Sequence, residues 1–583
     1  MSSVRDRLAK KLRLLGIFAN CDEATLQGIA ERSQWLSVPG GRLLIEQGEQ
    51  AEAVFVLLSG RLAVITGFGT SEERLVTEIS AGDSVGELGV IASTRRSASV
   101  LALRDSELLR IPGDVLKPLI ASDPAAFDGL LQTLAQRLLR LTRGKPVQRM
   151  VRNLALLPLD DASSWPDIAM RLQRSAQTIG LKCHIFTEAD GSRDSNQFAE
   201  MEENFDLCLY LATKADDTWR RLCKRQADRL LLLASGTDKG RSARPPDNRL
   251  IGDRRPVDMA ICEAADLELP TPSRNWPVAL AAARWVHRLR ENNDQDYSRL
   301  VRLMKNQGQC LVLSGGGARG FAHVGVQRAL QEAGRSLDLL GGSSMGAIVA
   351  AGIALEWDSN DLESRLAKVF VEGRPTSDLT FPIVALLRGR RVSHYLKSHF
   401  ADLEMQDLWR PCYSVATDLR SGEPIMQTKG SLWRNLRASV AIPGLLPPVP
   451  TEQHLLADGG VVDNLPVGFL LDPPQGHIIA VDVAQDAALR CDFLAEELEA
   501  PFWRLWPRVR RGRLPGIFDI LLRAGTINSS RQRKEVLEKV DLWLAPPLEE
   551  IGVLQWGAFH RAVEIGHRYA CQQLEICDRE QTE

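Results

Sequence analysis

No uninterrupted run of about twenty apolar residues occurs in this chain, so no segment reads as a membrane-spanning helix. The most apolar stretch runs from Leu339 to Leu355. The ten cysteines are scattered without a C-x-x-C pair, which argues against a disulfide scaffold or a zinc site and for reduced thiols in a cytosolic protein. Net charge is also scarce, at −2 from 72 basic and 74 acidic residues. That excludes a global electrostatic pull toward nucleic acid or an anionic surface. The N-terminus offers no signal peptide, because Arg5, Lys10, Lys11 and Arg13 break every apolar run. A length of 583 residues is enough for three or four domains, each with its own core.

What is present begins with Leu339-Leu340-Gly341-Gly342-Ser343-Ser344-Met345-Gly346. A strand-like run enters a G-x-S-x-G pattern centred on Ser344, and the small and aliphatic residues Met345 to Leu355 follow as a helix. Strand, tight turn and helix in that order make a nucleophile elbow, with glycines where side chains would crowd the turn. About thirty residues upstream the order repeats. Cys310 to Ser314 reads as a strand and Gly315-Gly316-Gly317-Ala318-Arg319-Gly320 as a glycine loop, before a helix from Ala322 to Ala333 that stops at Gly334. Consecutive glycines let successive N–H groups converge on one point, as an oxyanion hole requires. The rival reading is a nucleotide phosphate loop, but the Lys-Ser/Thr of Walker spacing is missing.

A third motif, Ala457-Asp458-Gly459-Gly460-Val461-Val462-Asp463-Asn464, completes the set. These three motifs, in this order and over about residues 308 to 480, resemble the patatin-like phospholipase family. The resemblance implies Ser344 as nucleophile, Asp458 as the carboxylate that takes its proton, and Gly315, Gly316, Gly317, Ala318, Arg319 and Gly320 as the oxyanion loop. Arg319 stands at the family's loop-arginine position, where it helps to balance the oxyanion's charge. A Ser-His-Asp triad is the alternative, with His323 and His454 lying nearest the motifs. His323 falls in a helix, where a satisfied structural role is expected, and His454 lies on a strand four residues before Asp458.

Toward the N-terminus, Val4 to Gln34 reads as two helices. Between Trp35 and Ile111 come short alternating runs separated by glycine turns, the signature of a small β-barrel or jelly roll. Within it lie Gly86-Glu87-Leu88-Gly89 and Arg95-Arg96-Ser97-Ala98-Ser99. An acid for ribose hydroxyls, with a guanidinium and free amides for phosphate, suits a sugar phosphate. The stretch resembles the phosphate-binding cassette of cyclic nucleotide-binding domains. That implies a site made by Gly86, Glu87, Leu88, Arg96, Ser97, Ala98 and Ser99, with Glu87 on the ribose, Arg96 on the phosphate, and cAMP or cGMP as effector. A transcriptional regulator would place a helix-turn-helix next. Here strands and helices alternate instead from Leu154 to Ala234, a doubly wound α/β pattern. That order of domains resembles bacterial relatives of neuropathy target esterase.

The expected architecture is multidomain α/β: a cyclic nucleotide-binding-like barrel over 1–145, an α/β linker domain over 146–305, and a patatin-like catalytic domain with a C-terminal extension over 306–583. The function this implies is a serine hydrolase acting on carboxyl esters of phospholipids or lysophospholipids. It requires no cofactor and no metal, engages no nucleic acid, and works in the cytoplasm with transient contact at the inner membrane face. The alternative is a cyclic-nucleotide-responsive binding protein whose hydrolase domain is inactive. Two further stretches stand out as lipid-facing candidates: Phe502 to Arg513, rich in aromatics and arginine, and Val384 to Arg391, with two leucines and three arginines. Trp276 to Arg290 and Tyr297 to Met304 are expected as connecting helices.

Overall fold

The computed structural model describes residues 18, 21, 23–70, 72–122, 127–128, 131–132, 135, 151–161, 164–193, 195–212, 217–236, 255–400, 402–471, 474–484, 501 and 537–580. The first of the two expected N-terminal helices, the aromatic and basic stretch from Phe502 to Arg513, and most of the polar segment 235–256 lie outside them. The chain forms two compact units. One comprises Met1–Ala234, Gly240–Met259 and Ala281–Arg284, and the other Ser235–Lys239, Ala260–Leu280 and Trp285–Glu583.

In the first unit, two four-stranded sheets build the barrel. One orders Gln34–Val38, Ser106–Pro112, Ala53–Ser59 and Ser84–Val85, and the other Leu43–Ile45, Ser99–Ala102, Arg61–Thr66 and Arg74–Ser80. All their pairings are antiparallel. Alternation turns Phe55, Leu57, Leu62, Val100 and Leu108 into a shared core. In the α/β part, Cys183–Phe186, Leu207–Leu211, Asn153–Pro158 and Arg229–Ser235 run parallel in that order. Leu230 to Leu233 are all fully buried, because a sheet covered on both faces favours an unbroken apolar run over alternation. Between barrel and α/β part, buried Asp228 takes the N–H groups of Arg152 and Asn153 at 2.9 and 3.0 Å and faces Arg61 and Arg104 at 3.6 and 3.7 Å. Burial opposes its charge, but the two arginines and two amides hold the carboxyl below its ordinary value.

The second unit is organised on an eight-stranded sheet whose strands we number within it: β1 (Gly308–Leu313), β2 (Leu339–Ser343), β3 (Cys412–Asp418), β4 (Pro424–Gln427), β5 (Val449–Pro450), β6 (Leu455–Asp458), β7 (Gly476–Val481) and β8 (Leu542–Leu544). The spatial order is β5-β6-β3-β2-β1-β7-β8, with β4 also on β3. The strands β3, β2, β1, β7 and β8 are parallel, while β6 and β4 run antiparallel to β3. Helices Ala322–Glu332, Met345–Ala354 and Phe559–Glu580 supply much of the core around this sheet. The last crosses the first where a side chain at Gly325 would lie 2.0 Å from the Val563 carbonyl.

The connecting region departs from expectation. Trp276 to Arg290 is not one helix but a short helix, Pro277–Ala282, followed by a strand, Val286–Arg290. Arg288 explains the change, since its side chain is fully buried between Glu263 and Asp407, each at 2.6 Å. An extended backbone carries it to both carboxylates, so tertiary pairing overrides local helical preference. The expected helix at Tyr297 to Met304 forms as Asp294–Met304.

Candidate active site

Register alone brings the three sequence motifs together. On β2, Gly342 pairs with Leu313 of β1 and Ser343 with Val415 of β3. On the far side of β3, Asp458 pairs with Ala416. Ser344 and the glycine loop therefore leave the same end of adjacent parallel strands, with the end of β6 level with them.

Ser344 sits at φ 53°, ψ −123°, immediately before helix Met345–Ala354. A non-glycine residue in that region is strained and needs support from its surroundings. The support is steric and polar. A side chain at Gly346 would lie 2.3 Å from the Leu313 carbonyl oxygen, and one at Gly342 2.7 Å from the Gly346 carbonyl carbon, so only glycines let helix and strand close on the turn. The Ser344 N–H donates to Ser439 Oγ at 2.9 Å, and that hydroxyl donates to the Val415 carbonyl at 2.6 Å. Ser439 ends helix Leu432–Ser439, and no pattern in the sequence marked it.

The Ser344 hydroxyl donates to Asp458 Oδ2 at 2.8 Å, and Oδ1 accepts the Gly460 N–H at the same distance. Both residues are buried. Burial drives the Asp458 carboxyl up to about 7, against the opposing pull of the Gly460 and Ser344 hydrogen bonds. A hydroxyl and a carboxylate at this separation can exchange a proton directly. Neighbouring Asp463 is pushed up to about 6, again by burial.

The glycine loop abuts the elbow: a side chain at Gly315 would meet Ser344 Cβ at 2.9 Å and Asn464 Oδ1 at 2.6 Å. Asn464 clasps Gly315 from both sides, its carbonyl taking the Gly315 N–H and its Nδ2 donating to the Gly315 carbonyl, each at 3.2 Å. The N–H groups of Ala318 and Arg319 are taken by the carbonyls of Val553 and Gly316. Those of Gly316 and Gly317 have no hydrogen bond among the described residues, and free adjacent amides can receive an oxyanion. Arg319 is buried, and its Nε donates to the Ile551 carbonyl at 2.7 Å.

Neither nearby histidine bonds to Ser344. His323 is buried with its Nε2 on the Ser314 carbonyl at 2.8 Å, and burial lowers its pKa to about 4. His454 Nδ1 lies 3.0 Å from Asp418 Oδ2, and that contact, with the N–H groups of Leu455 and Arg420, holds the Asp418 carboxyl well below the usual range.

In the barrel, Gly86 adopts φ 88° and leads into the short helix Glu87–Ala92, with Glu87 buried and Leu88 exposed. Arg96 is buried, donating to the carbonyls of Gly86 and Ala53, both at 2.7 Å, with Glu49 at 3.9 Å. Ser97 is exposed, Ala98 half-buried, and the buried Ser99 hydroxyl accepts the Gln47 N–H at 3.0 Å. The cassette residues thus surround one loop, with Arg96 turned onto its backbone.

Three family models match parts of this arrangement. Residues 311–471 match the patatin-like phospholipase family, 35–123 the cyclic nucleotide-binding domain, and 140–245 the neuropathy target esterase family P-loop like domain. An uncharacterized NTE family protein of Mycobacterium tuberculosis is 30% identical over 97% of this chain and 96% of its own length. The chain belongs to the NTE family. Neuropathy target esterase sws of Drosophila melanogaster is 28% identical over 97% of this chain and 43% of its own length. Patatin-like phospholipase domain-containing protein 6 of Homo sapiens is 27% identical over 92% and 44%. The chain thus spans less than half the length of these two animal relatives. Its N-terminal barrel is a cyclic nucleotide-binding fold and its C-terminal sheet carries the patatin-like phospholipase domain. Among the described residues no helix is long and apolar enough to cross a membrane.

Proposed function

We propose that this NTE family member hydrolyses carboxyl esters of phospholipids or lysophospholipids through a Ser344–Asp458 dyad. The supporting observation is the 2.8 Å hydrogen bond from Ser344 Oγ to a carboxyl whose burial sets its pKa near 7. In this mechanism Asp458 accepts the hydroxyl proton as Oγ attacks the acyl carbon. The tetrahedral oxyanion rests on the N–H groups of Gly316 and Gly317. Collapse breaks the ester bond, and the protonated Asp458 returns its proton to the leaving alcohol. Water, deprotonated by the same carboxylate, then attacks the acyl-enzyme, and collapse breaks the bond to Ser344 Oγ, which takes the proton back from Asp458 as the fatty acid leaves. The motif patterns carry over a further proposal, that three domains divided near residues 145 and 305 work together, with cAMP or cGMP bound by Glu87 and Arg96 as effector.

The test is covalent labelling of the full chain with a fluorophosphonate. Wild type takes the label and Ser344→Ala does not, while phospholipid hydrolysis falls roughly a thousandfold or more with the fold intact. Equal labelling of the two proteins would remove the dyad. A triad would replace it if His323→Ala or His454→Ala, folded, matched the loss in Ser344→Ala.

A further inference from the structure

The hairpin between Asp378 and Arg388 takes no part in this chemistry, yet its tip holds the most exposed large apolar side chains among the described residues. Leu379, Phe381, Ile383 and Val384 are 68, 82, 83 and 66% exposed. No other large hydrophobic side chain among the described residues exceeds 57%. Apolar surface concentrated in this way, within six positions, marks a contact surface.

The base of the hairpin is firmly held. Thr380 N–H donates to the Leu386 carbonyl at 3.0 Å and Arg388 N–H to the Asp378 carbonyl at 2.9 Å, while the N–H groups of Leu386 and Leu387 reach the carbonyls of Gly444 and Leu445 at 2.9 and 3.0 Å. Leu387 is buried against Leu445 and Leu446. The segment that receives this base, residues 439–446, also holds the dyad. Ser439 binds the Ser344 N–H and the Ala441 carbonyl accepts the Asp458 N–H at 2.9 Å. A tip anchored there projects from the frame of the candidate active site.

Charge selects the occupant. From Asp378 through Phe400 the chain contains one acid, Asp378, whose carboxylate accepts the Arg391 N–H at 3.3 Å, against four cations, Arg388, Arg390, Arg391 and Lys397. The three arginines are exposed. An apolar tip backed by a cationic collar fits a bilayer bearing anionic headgroups, with rings and aliphatic chains at interfacial depth and guanidinium groups on phosphate. We propose that residues 379–384 insert into the interfacial region of an anionic phospholipid bilayer, with Arg388 and Arg390 on headgroup phosphates, docking the active site on its substrate. The substrate part of this inference rests on the phospholipid reading above.

The experiment uses the full chain with vesicles of phosphatidylcholine alone and of equal parts phosphatidylcholine and phosphatidylglycerol. Wild type is expected to sediment with the anionic vesicles at least about tenfold better than with the neutral ones. The doubly substituted Phe381→Asp/Ile383→Asp and Arg388→Glu/Arg390→Glu proteins should each lose at least about tenfold of that binding. Both should keep the wild-type rate on a monomeric short-chain nitrophenyl ester. As a check independent of these variants, Phe381→Trp minus wild type should give a difference emission that shifts to the blue on anionic vesicles. Absence of wild-type sedimentation, undiminished sedimentation of Phe381→Asp/Ile383→Asp, or an unshifted emission would each overturn the docking surface. So would a wild-type dimer that this double substitution turns into a monomer, which would assign the tip to a second copy of the chain. Sedimentation as expected, with no hydrolysis of either vesicle lipid or nitrophenyl ester, would overturn the phospholipase reading and leave the docking surface standing.

Discussion

A carboxyl with a pKa near 7 beside a serine hydroxyl has consequences at two levels. The proposed dyad needs the carboxylate, so kcat/KM should rise with pH through about 7 and level off above it, the limb being absent in Asp458→Asn. Stability runs the other way. The folded pKa lies above the ordinary value, so between about 4 and 7 the native state holds a proton that the unfolded state has released. Stability therefore falls as pH rises through that window, and above it the full cost of a buried charge is present. Asp458→Asn removes that cost. We expect the variant to melt higher than wild type at pH 8, with a gain on the order of 1–3 kcal/mol that disappears by about pH 4. Melting temperatures of the two proteins across that range check it, and a variant that melts lower at pH 8 would show that the carboxylate is stabilised in place. Asp458 and Ser344 were legible because their flanking glycines are a sequence signal. Ser439 was not, because a serine that ends a helix carries no mark of the amide it receives.

The elements around the site show why some structure can be read from composition and some cannot. The elbow was legible because a strand, a serine and two glycines satisfy one steric condition, visible in the 2.3 Å that would separate a Gly346 side chain from the Leu313 carbonyl. Gly346→Ala should consequently lower stability by about 2–4 kcal/mol and hydrolysis by more than about tenfold. Gly334→Ala is the control. Its φ of +65° opposes a side chain but nothing lies within 4 Å, so we expect a cost of about 1–2 kcal/mol and unchanged hydrolysis. Equal losses in the two variants would show that contact with Leu313 does not govern the elbow. The strand Val286–Arg290 was illegible for the opposite reason. Its conformation is dictated by Glu263 and Asp407, which lie 25 and 119 residues away from Arg288, and pairing over that separation leaves no periodicity to read. The barrel strands, by contrast, were announced by glycine turns at Gly60, Gly82 and Gly86, all with positive φ. The exposed tip at Phe381 and Ile383 had only half a signal, because its arginines are visible in the sequence and its exposure is not.

Across the whole molecule, the proposed chemistry and the proposed control fall on separate folds, and each makes its own prediction. The proposed acyl-enzyme route uses only side chains and amides of the chain. The one described group that brings three ligand-type atoms within 4.8 Å, Glu332, His567 and Cys571, includes neither Ser344 nor Asp458. Hydrolysis should then survive EDTA, and a loss restored by calcium would count against the acyl-enzyme mechanism. The proposed control would rest on Arg96. In the barrel its guanidinium is held by the carbonyls of Gly86 and Ala53, neutral acceptors that a phosphate would outcompete as a charge-assisted partner. Burial lowers the pKa of Arg96 despite the opposing pull of Glu49, Glu87 and Glu52, so the buried cation is under-compensated and an anionic ligand would add a favourable charge. Affinity alone does not make a switch, because an effector changes the rate only by binding one catalytic state better than another. Two measurements are therefore needed together: calorimetry with cAMP and with cGMP, and the esterase rate with and without saturating nucleotide, in wild type and Arg96→Ala. We expect heat with at least one nucleotide, its loss in Arg96→Ala, and a several-fold change in wild-type rate that the variant no longer shows, since a coupling of 1–3 kcal/mol corresponds to roughly 5–150-fold. No heat with either nucleotide would reduce the barrel to a docking unit. Heat abolished by Arg96→Ala with an unchanged rate would leave a binding domain that is not a switch, and the reason for keeping a buried arginine beside Glu87 would then lie in the barrel's own stability.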